Sequence, residues 1–470
     1  MTSLVWLRND LRLSDNPALY RAAELGEGVD CVFVWCKEYV NRHSIAPARV
    51  DFVRRNLLVL GSDLAKKNIR LHLLVCATAK DIPAQLLQLA TTVGAGQLFF
   101  NAEYPLDEVA RDKSVVAAFR SAGLETKRFH DRVLVPPGRV RNGQGEAYKV
   151  FTAYKRKWLE VLAPNNPTPL GLPAEQGGGQ VPAPSEDEID RLFAGEQQRD
   201  LSQLWPAGEQ EARKRLTRFV ATQIHDYKRQ RDFPAEEGTS SLSPYLAVGA
   251  ISPRECLSAA LAANKGEWDT GSEGVTCWIS ELVWRDFYQH LVVDFPEVCK
   301  HRAMQAHTEA FPWSRDMDLF HRWREGRTGV PIVDAAMHQL HQTGWMHNRL
   351  RMVVAMFLTK NLQIDWRLGE DYFMKNLIDG DFAANNGGWQ WSASTGTDAA
   401  PYFRIFNPFS QSARFDPEGR FIRKYLPQLE QLPGKALHQP VSLPDYPSPI
   451  VDLAASRKST INLFAQLGRV

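Results

Sequence analysis

The feature that most constrains the fold is a change of period partway along the chain. From residue 3 to about 135, the short β-branched or aromatic runs "LVWLR", "VDCVFVWC", "LHLLVC" and "QLFFNAE" alternate with helical patterns near 47–67, 81–93 and 105–122. Strands separated by helices are joined by crossovers rather than hairpins, so this alternation predicts βαβ units and a parallel sheet. Beyond residue 207 there is hardly a strand-like run: helical patterns cover 207–227, 252–264, 272–293, 331–342, 344–360 and 369–378. Between the two regimes lies "APNNPTPLGLPAEQGGGQVPAPSEDE", rich in Pro and Gly and without periodic hydrophobics, which reads as a long surface connection. The predicted architecture is a Rossmann-like α/β domain of about five strands over 1–135, a linker over 136–206 and an all-α domain over 207–470. No G-x-G-x-x-G follows the first strand, so the α/β half lacks the usual dinucleotide fingerprint.

A chain of 470 residues predicts two or three units, each with its own core. With 56 basic and 54 acidic residues, affinity for nucleic acid must come from clustered charge rather than the overall balance. The six cysteines include no C-x-x-C pair and no spacing suited to a metal, which predicts a reduced compartment without disulfides. The opening "MTSLVWLRNDLRL" is broken by Arg8 and Asp10, and no run approaches the roughly 18 apolar residues of a membrane span. A cytoplasmic enzyme that does not cross a membrane is expected.

Four segments could carry chemistry. Eight of the thirteen tryptophans fall between 278 and 391; taken singly each reads as core, but their density also suits stacking on flat ligands or passing electrons. In "ISELVWRDFYQH", Glu281, Trp284 and Tyr288 share one helical face, either the rim of an amphipathic helix or the wall of a pocket. In "GWMHNRLRMVVAMFL", Asn348 and Met352 are one turn apart, flanked by Arg349 and Arg351, which have no local acid and could take a phosphate or a carboxylate such as Asp379 or Asp381. Residues 213–231 carry seven Lys or Arg against the single acid Asp226, suited to a phosphate backbone or simply a solvated face, and "GTSSLSP" follows with a row of hydroxyls.

Together these segments closely resemble the photolyase/cryptochrome family, most nearly the bacterial class I cyclobutane pyrimidine dimer photolyases of the folate-antenna type. The resemblance runs through "LVWLRNDLRLSDNPAL", "QRDFPAEEGTSSLSPYLAVG", "WISELVWRDFYQHL", "TGVPIVDAAMHQLHQTGWMHNRLRM" and "IDGDFAANNGGWQWSASTGTDAAPYFRIFNP", in that order. It implies a light-driven DNA-repair lyase whose reduced, anionic FAD donates an excited-state electron to a pyrimidine dimer flipped out of the helix. The absence of an obvious nucleophile or acid-base pair then has a reason, because the cofactor carries the chemistry.

The same resemblance implies the site residues. Tyr227, Thr239, Ser240, Ser241, Leu242 and Ser243 would hold the FAD phosphates and ribityl, with Trp278, Glu281, Arg285 and Asn348 beside them. Asp379, Gly380 and Asp381 would border flavin and adenosine, Asp379 pairing with Arg351, and Asn385 would face flavin N5 as a neutral amide. Trp284 and Trp391 would wall the lesion pocket, Glu281, Asn348 and Met352 would touch the bases, and Arg231, Arg349 and Arg404 the phosphates. Trp389, Trp366 and Trp313 match a three-tryptophan relay that re-reduces the flavin. His43, Asp107, Glu108, Cys299 and Lys300 would hold a methenyltetrahydrofolate antenna, with Asp107 standing where an asparagine is more typical. The implied partner is UV-damaged DNA, bound by a monomer; Gly387 and Gly388 are expected to let the backbone pass close to cofactor or substrate.

Three rival readings are weaker. A (6-4) photolyase would place histidines at 348 and 352, where this chain has Asn348 and Met352. A signalling cryptochrome would usually replace Asn385 with Asp or Cys and add a long C-terminal tail. A flavin-free DNA-binding module leaves the GTSSLSP, Asp379/Asp381 and tryptophan features without a purpose.

Overall fold

The computed structural model describes residues 2–177, 179–441 and 443–467. Five strands, β1 (Thr2–Leu7), β2 (Val29–Cys36), β3 (Arg70–Cys76), β4 (Ala95–Asn101) and β5 (Glu125–Phe129), form one sheet in the order β3-β2-β1-β4-β5. Every pairing is parallel, as the alternation with helices predicts. Five of the six β1 residues are buried, consistent with a central strand covered on both faces. The fifth strand, "ETKRF", is not an apolar run because it lies at the sheet edge, where charged side chains discourage pairing with other chains.

From Glu209–Thr222 onward the chain is helical, with the predicted segments appearing as Pro253–Ala263, Glu273–Asp294, Pro331–Thr343, Asn348–Met356 and Trp366–Met374. The segment expected as helix over 344–360 starts four residues later, and its end widens into a π-helical turn, Phe357–Asn361. Among the described residues no helix is long and apolar enough to cross a membrane. All six cysteines are free thiols.

Two expectations change. The stretch 136–206 is not a featureless connection: it contains the helix Phe151–Leu162, whose Tyr154 and Trp158 are buried, and Trp158 donates to Asp286 on the Glu273–Asp294 helix (2.9 Å). Its amphipathic pattern is a single short helix set among prolines, which masks it in the sequence. Nor does each half keep a separate core. One face of the sheet and the helices up to residue 291 share a single hydrophobic cluster, the far sheet face holds a second, and residues 320–446 build a third. Buried charges tie the halves as well: Arg254 pairs with both Asp15 (2.9 Å) and Asp131 (2.6 Å), and Arg12, itself paired with Asp131, donates to the Gly249 carbonyl (3.0 Å).

Candidate functional site

The helix Phe382–Ala393 is the NNGGWQW segment. Two glycines in a helix cost about 1 kcal/mol each relative to alanine, so its ends must be fixed by other means. At the N-terminus the Asp381 carboxylate caps the Ala384 N–H (3.0 Å). At the C-terminus the fully buried Lys360 amine donates to the Ala393 carbonyl (3.0 Å) and Ser394 Oγ (2.7 Å), and burial lowers its pKa well below the ordinary lysine value. Gly387 is needed for packing: a Cβ there would lie 2.2 Å from the Tyr288 ring of the Glu273–Asp294 helix, whereas Gly388 meets nothing within 4 Å. Thus Gly387 admits a neighbouring aromatic ring rather than a ligand, and only Gly388 of the pair lines the adjoining cavity.

That cavity, about 360 Å³, is a size suited to part of a large ligand. Three helices line it at helical spacing: Glu281, Trp284 and Tyr288; Asn348, Arg351, Met352 and Ala355; Asn385, Gly388, Trp389 and Ser392, joined by Trp391. Arg231, Asp379 and Asp381 complete the set of expected residues found here. The Arg351 guanidinium pairs with Asp379 Oδ2 (2.8 Å), as expected, while the buried Asp379 Oδ1 has no hydrogen-bond partner among the described residues. The asparagine pair divides its work. Asn386 is buried and donates to Glu370 Oε1 (2.9 Å); Asn385 donates to the Glu370 backbone carbonyl (3.0 Å) and leaves its amide oxygen as the free end.

Electrostatics tune two acids here. Burial drives the Glu281 carboxyl up, opposed by its ion pair with Arg231. Burial also pushes against ionisation of Asp381, but the guanidiniums of Arg132 and Arg285 outweigh it and hold this carboxyl below its usual range. Arg132 makes a direct ion pair with Asp381, and Gln289 donates to the same carboxylate (3.2 Å).

Several expected residues stand outside the cavity lining. Tyr227 and Trp278 are buried beside Phe219, with ring centroids 5.8 and 5.1 Å away, and Arg285 donates to the Arg132 carbonyl. Leu242 is buried; Ser243 Oγ accepts from Trp345 Nε1 (3.1 Å). Thr239, Ser240 and Ser241 are half-buried, and among the described residues their hydroxyls make no hydrogen bond; Ser241 has φ +50°. A strained backbone with unengaged hydroxyls suits a phosphate cradle. Together with the orphaned Asp379 oxygen and the free Asn385 amide, these residues fit a flavin dinucleotide.

Most charges of the basic run 213–231 are already paired. Arg213 pairs with Glu255 (2.5 Å), Lys214 with Glu211 (2.6 Å), Arg218 with Glu237 (2.8 Å), Lys228 with Glu273 (3.0 Å) and Arg229 with Asp226 (2.9 Å). Arg215 donates to Tyr245 and the Leu204 carbonyl, leaving Arg231 beside Glu281. Local counting missed these acids because most lie outside the run. Arg349 likewise has an acid that local sequence hid, Asp232 (2.7 Å), whereas Arg404 is exposed. Sequence reasoning also missed Phe151, which stacks on Trp284 at 3.6 Å and 4°, bringing the presumed linker to the pocket wall.

The three relay tryptophans are graded by exposure: Trp389 lines the cavity and is buried, Trp366 is fully buried, and Trp313 is half-exposed. A Cβ on Gly369 would lie 2.1 Å from the Trp389 ring, so this glycine lets Trp389 lie directly on the helix that Trp366 begins. A bridge between Ser314 and Ile364 sets the Trp313 segment beside the one leading into Trp366.

A second cavity, about 560 Å³, lies between the α/β half and the helical half. It gathers all five expected antenna residues, His43, Asp107, Glu108, Cys299 and Lys300, together with Gly380 and Asp381 from behind the first cavity. Among the described residues the buried Glu108 Oε2 and His43 Nε2 make no hydrogen bond, although His43 Nε2 lies 3.8 Å from the Asp107 carboxylate; this hydrogen-bonding capacity fits a polar heterocycle. Burial, reinforced by the nearby Glu103 carboxylate, raises the Glu108 carboxyl; burial lowers the His43 imidazole. Asp107 binds Arg42 (2.8 Å).

Comparison with known proteins agrees with this geometry. Residues 3–173 match the family described as DNA photolyase, and residues 278–466 match the FAD binding domain of DNA photolyase. The chain is 44% identical to the deoxyribodipyrimidine photo-lyase of Vibrio cholerae and 44% identical to that of Escherichia coli, each comparison covering 98% of both chains. A solved class III photolyase from Agrobacterium tumefaciens superposes with a TM-score of 0.89 at 36% identity, covering 99% of this chain and 97% of that one. The chain belongs to the DNA photolyase family.

Proposed function

We propose that this protein is a deoxyribodipyrimidine photo-lyase of the class I type, which splits cyclobutane pyrimidine dimers in UV-damaged DNA under light with a reduced, anionic FAD. The observation that carries this reading is that one cavity joins the flavin-type groups Arg351, Asp379 and Asn385 to the lesion-type groups Trp284, Trp391, Met352, Asn348 and Glu281. When bound, the flavin supplies the excited-state electron that opens the cyclobutane ring, and the electron returns to it afterwards.

The chain's own residues bind, orient and tune. Thr239, Ser240, Ser241, Leu242 and Ser243, with Tyr227, Trp278 and Arg285 packed behind, hold the phosphates and ribityl. The Arg351 guanidinium favours a negative charge on the ring system, and Asn385 offers an amide that hydrogen-bonds without delivering a proton. Trp284, backed by Phe151, and Trp391 stack the extruded bases. Arg231 and Arg349 exchange Glu281 and Asp232 for DNA phosphates, joined by Arg404. Departure of Arg231 removes the larger of the cations that oppose burial at Glu281, which shifts this carboxyl further toward its protonated form, the form able to donate to a base carbonyl. Trp389, Trp366 and Trp313 pass electrons inward when the flavin is oxidised. The interdomain cavity holds methenyltetrahydrofolate, with Glu108 and His43 meeting its heterocycle.

The protein acts as a monomer in the cytoplasm. Dark binding tests the lesion pocket: an oligonucleotide carrying one thymine dimer is retained in preference to its undamaged twin, and equal retention of the two contradicts the assignment.

A further inference from the structure

Besides Phe373 (5.0 Å), Trp389 meets an indole that is not one of the three relay tryptophans. Its ring centroid is 6.0 Å from that of Trp323, at 76°, and Trp323 is in turn 5.7 Å from Tyr372, at 64°. Trp323 is fully buried; Tyr372 is half-exposed, and its hydroxyl lies 2.7 Å from His341 Nε2. The Met317–Arg324, Pro331–Thr343 and Trp366–Met374 helices bring these groups together from three separate stretches of sequence.

We infer that Tyr372 and His341 form a second, proton-coupled terminus for electron delivery to the flavin cavity, reached through Trp323 and Trp389. This rests on the flavin reading above. One electron leaves Tyr372 for oxidised Trp323, which has itself given one electron to oxidised Trp389, and the light-excited oxidised flavin is the final acceptor. The Tyr372 O–H bond breaks as the electron leaves, and its proton forms a new N–H bond at His341 Nε2. A thiol or other one-electron reductant from solvent then reduces the neutral tyrosyl radical, and His341 returns the proton.

Two further observations favour this branch. Trp323 Nε1 donates to the Val354 carbonyl (3.1 Å), so a positive hole on its indole keeps a hydrogen-bond acceptor, whereas the buried Trp366 Nε1 has none. The Arg367 guanidinium also sits 4.7 Å over the Trp366 ring, a like charge against a hole there, although Glu309 and Asp365 partly neutralise it. Protonation states suit the transfer. Burial pushes the Tyr372 phenol up to about 12, with Arg324 opposing and Glu325 assisting, so it stays protonated at neutral pH. Burial, with His338 and Arg199 assisting and a hydrogen bond to the Arg324 backbone and the Glu325 carboxylate opposing, lowers the His341 imidazole, leaving it neutral and able to accept. The single Tyr372 O–H proton has two acceptors within reach, His341 Nε2 at 2.7 Å and the Arg324 carbonyl at 3.2 Å; the transfer uses the shorter contact, with Nε2 unprotonated.

The test uses flavin-loaded protein carrying Trp366→Phe, oxidised, illuminated with a thiol present and followed by electron paramagnetic resonance and flavin absorbance. A neutral tyrosyl radical and residual flavin reduction are expected. Adding Tyr372→Phe, which keeps the ring, abolishes the radical, and adding His341→Asn slows its formation by about tenfold or more. A Trp366→Phe protein that retains flavin but forms no tyrosyl radical overturns the inference, as does a radical that survives Tyr372→Phe or is indifferent to His341→Asn. Protein that folds but holds no flavin overturns the cofactor reading instead.

Discussion

The two cavities meet at Asp381 but are built in opposite ways. The helical cavity takes its lining mainly from three helices whose functional residues repeat at one-turn intervals, and it pairs Arg351 with Asp379 and Arg231 with Glu281 while leaving one Asp379 oxygen without a hydrogen-bond partner among the described residues. The interdomain cavity collects residues from the sheet, from loops and from both halves of the chain, and it pairs Arg42 with Asp107 while leaving Glu108 Oε2 and His43 Nε2 without one. The first is built by local helical periodicity, the second by the packing of distant segments.

The largest expected effect is at the helical cavity. Arg351→Ala leaves the buried Asp379 carboxylate without its cation and removes a guanidinium from the cavity lining, so flavin affinity, read as flavin retained through gel filtration, should fall by roughly 2–3 kcal/mol. Antenna absorbance should be unchanged, and joint loss of both chromophores would show that the cavities are not independent. Next, Trp391→Ala should weaken binding of dimer-containing DNA by about 1–3 kcal/mol, with undamaged DNA little affected, in a competition titration.

The acid limb of stability comes third. His347 accepts the Arg349 N–H at the start of the Asn348–Met356 helix, and burial lowers its imidazole to about 4. The unfolded chain therefore takes up this proton first. The stabilisation is complete above the ordinary histidine value of 6.5 and is lost as pH falls toward 4, by on the order of 1 kcal/mol per pH unit. His347→Asn, which keeps a cap acceptor but cannot titrate, should flatten this part of a denaturation-versus-pH series. Fourth, Glu108→Gln should cost about 1 kcal/mol of antenna affinity, seen in the excitation spectrum, while flavin content stays constant. Smallest of all, Lys214→Ala with Arg218→Ala should change DNA affinity by well under 1 kcal/mol, because both charges are exposed and already paired.

Periodicity made much of this molecule legible. The strand-helix alternation up to residue 129 and the Glu281, Trp284, Tyr288 stripe appear as read, because each is set by local spacing. What escaped depends on distant partners. The charged edge strand β5 carries no apolar pattern, and Phe151 looks like part of a linker until it stacks on Trp284. The NNGGWQW helix is disguised by glycines, one of which exists to admit Tyr288, and is held by Lys360 from another element. The pairing of the basic run was hidden for the same reason, since Glu237, Glu255 and Glu273 reach Arg218, Arg213 and Lys228 from beyond its ends.

The most direct test of the central claim is loss of thymine dimers from a single-dimer oligonucleotide, measured by chromatography, with flavin-loaded and chemically reduced protein in blue light and in the dark. The account predicts intact pyrimidines appearing only under illumination, with many turnovers per protein. Flavin-loaded protein that binds the oligonucleotide but leaves the dimers unchanged in the light would contradict it.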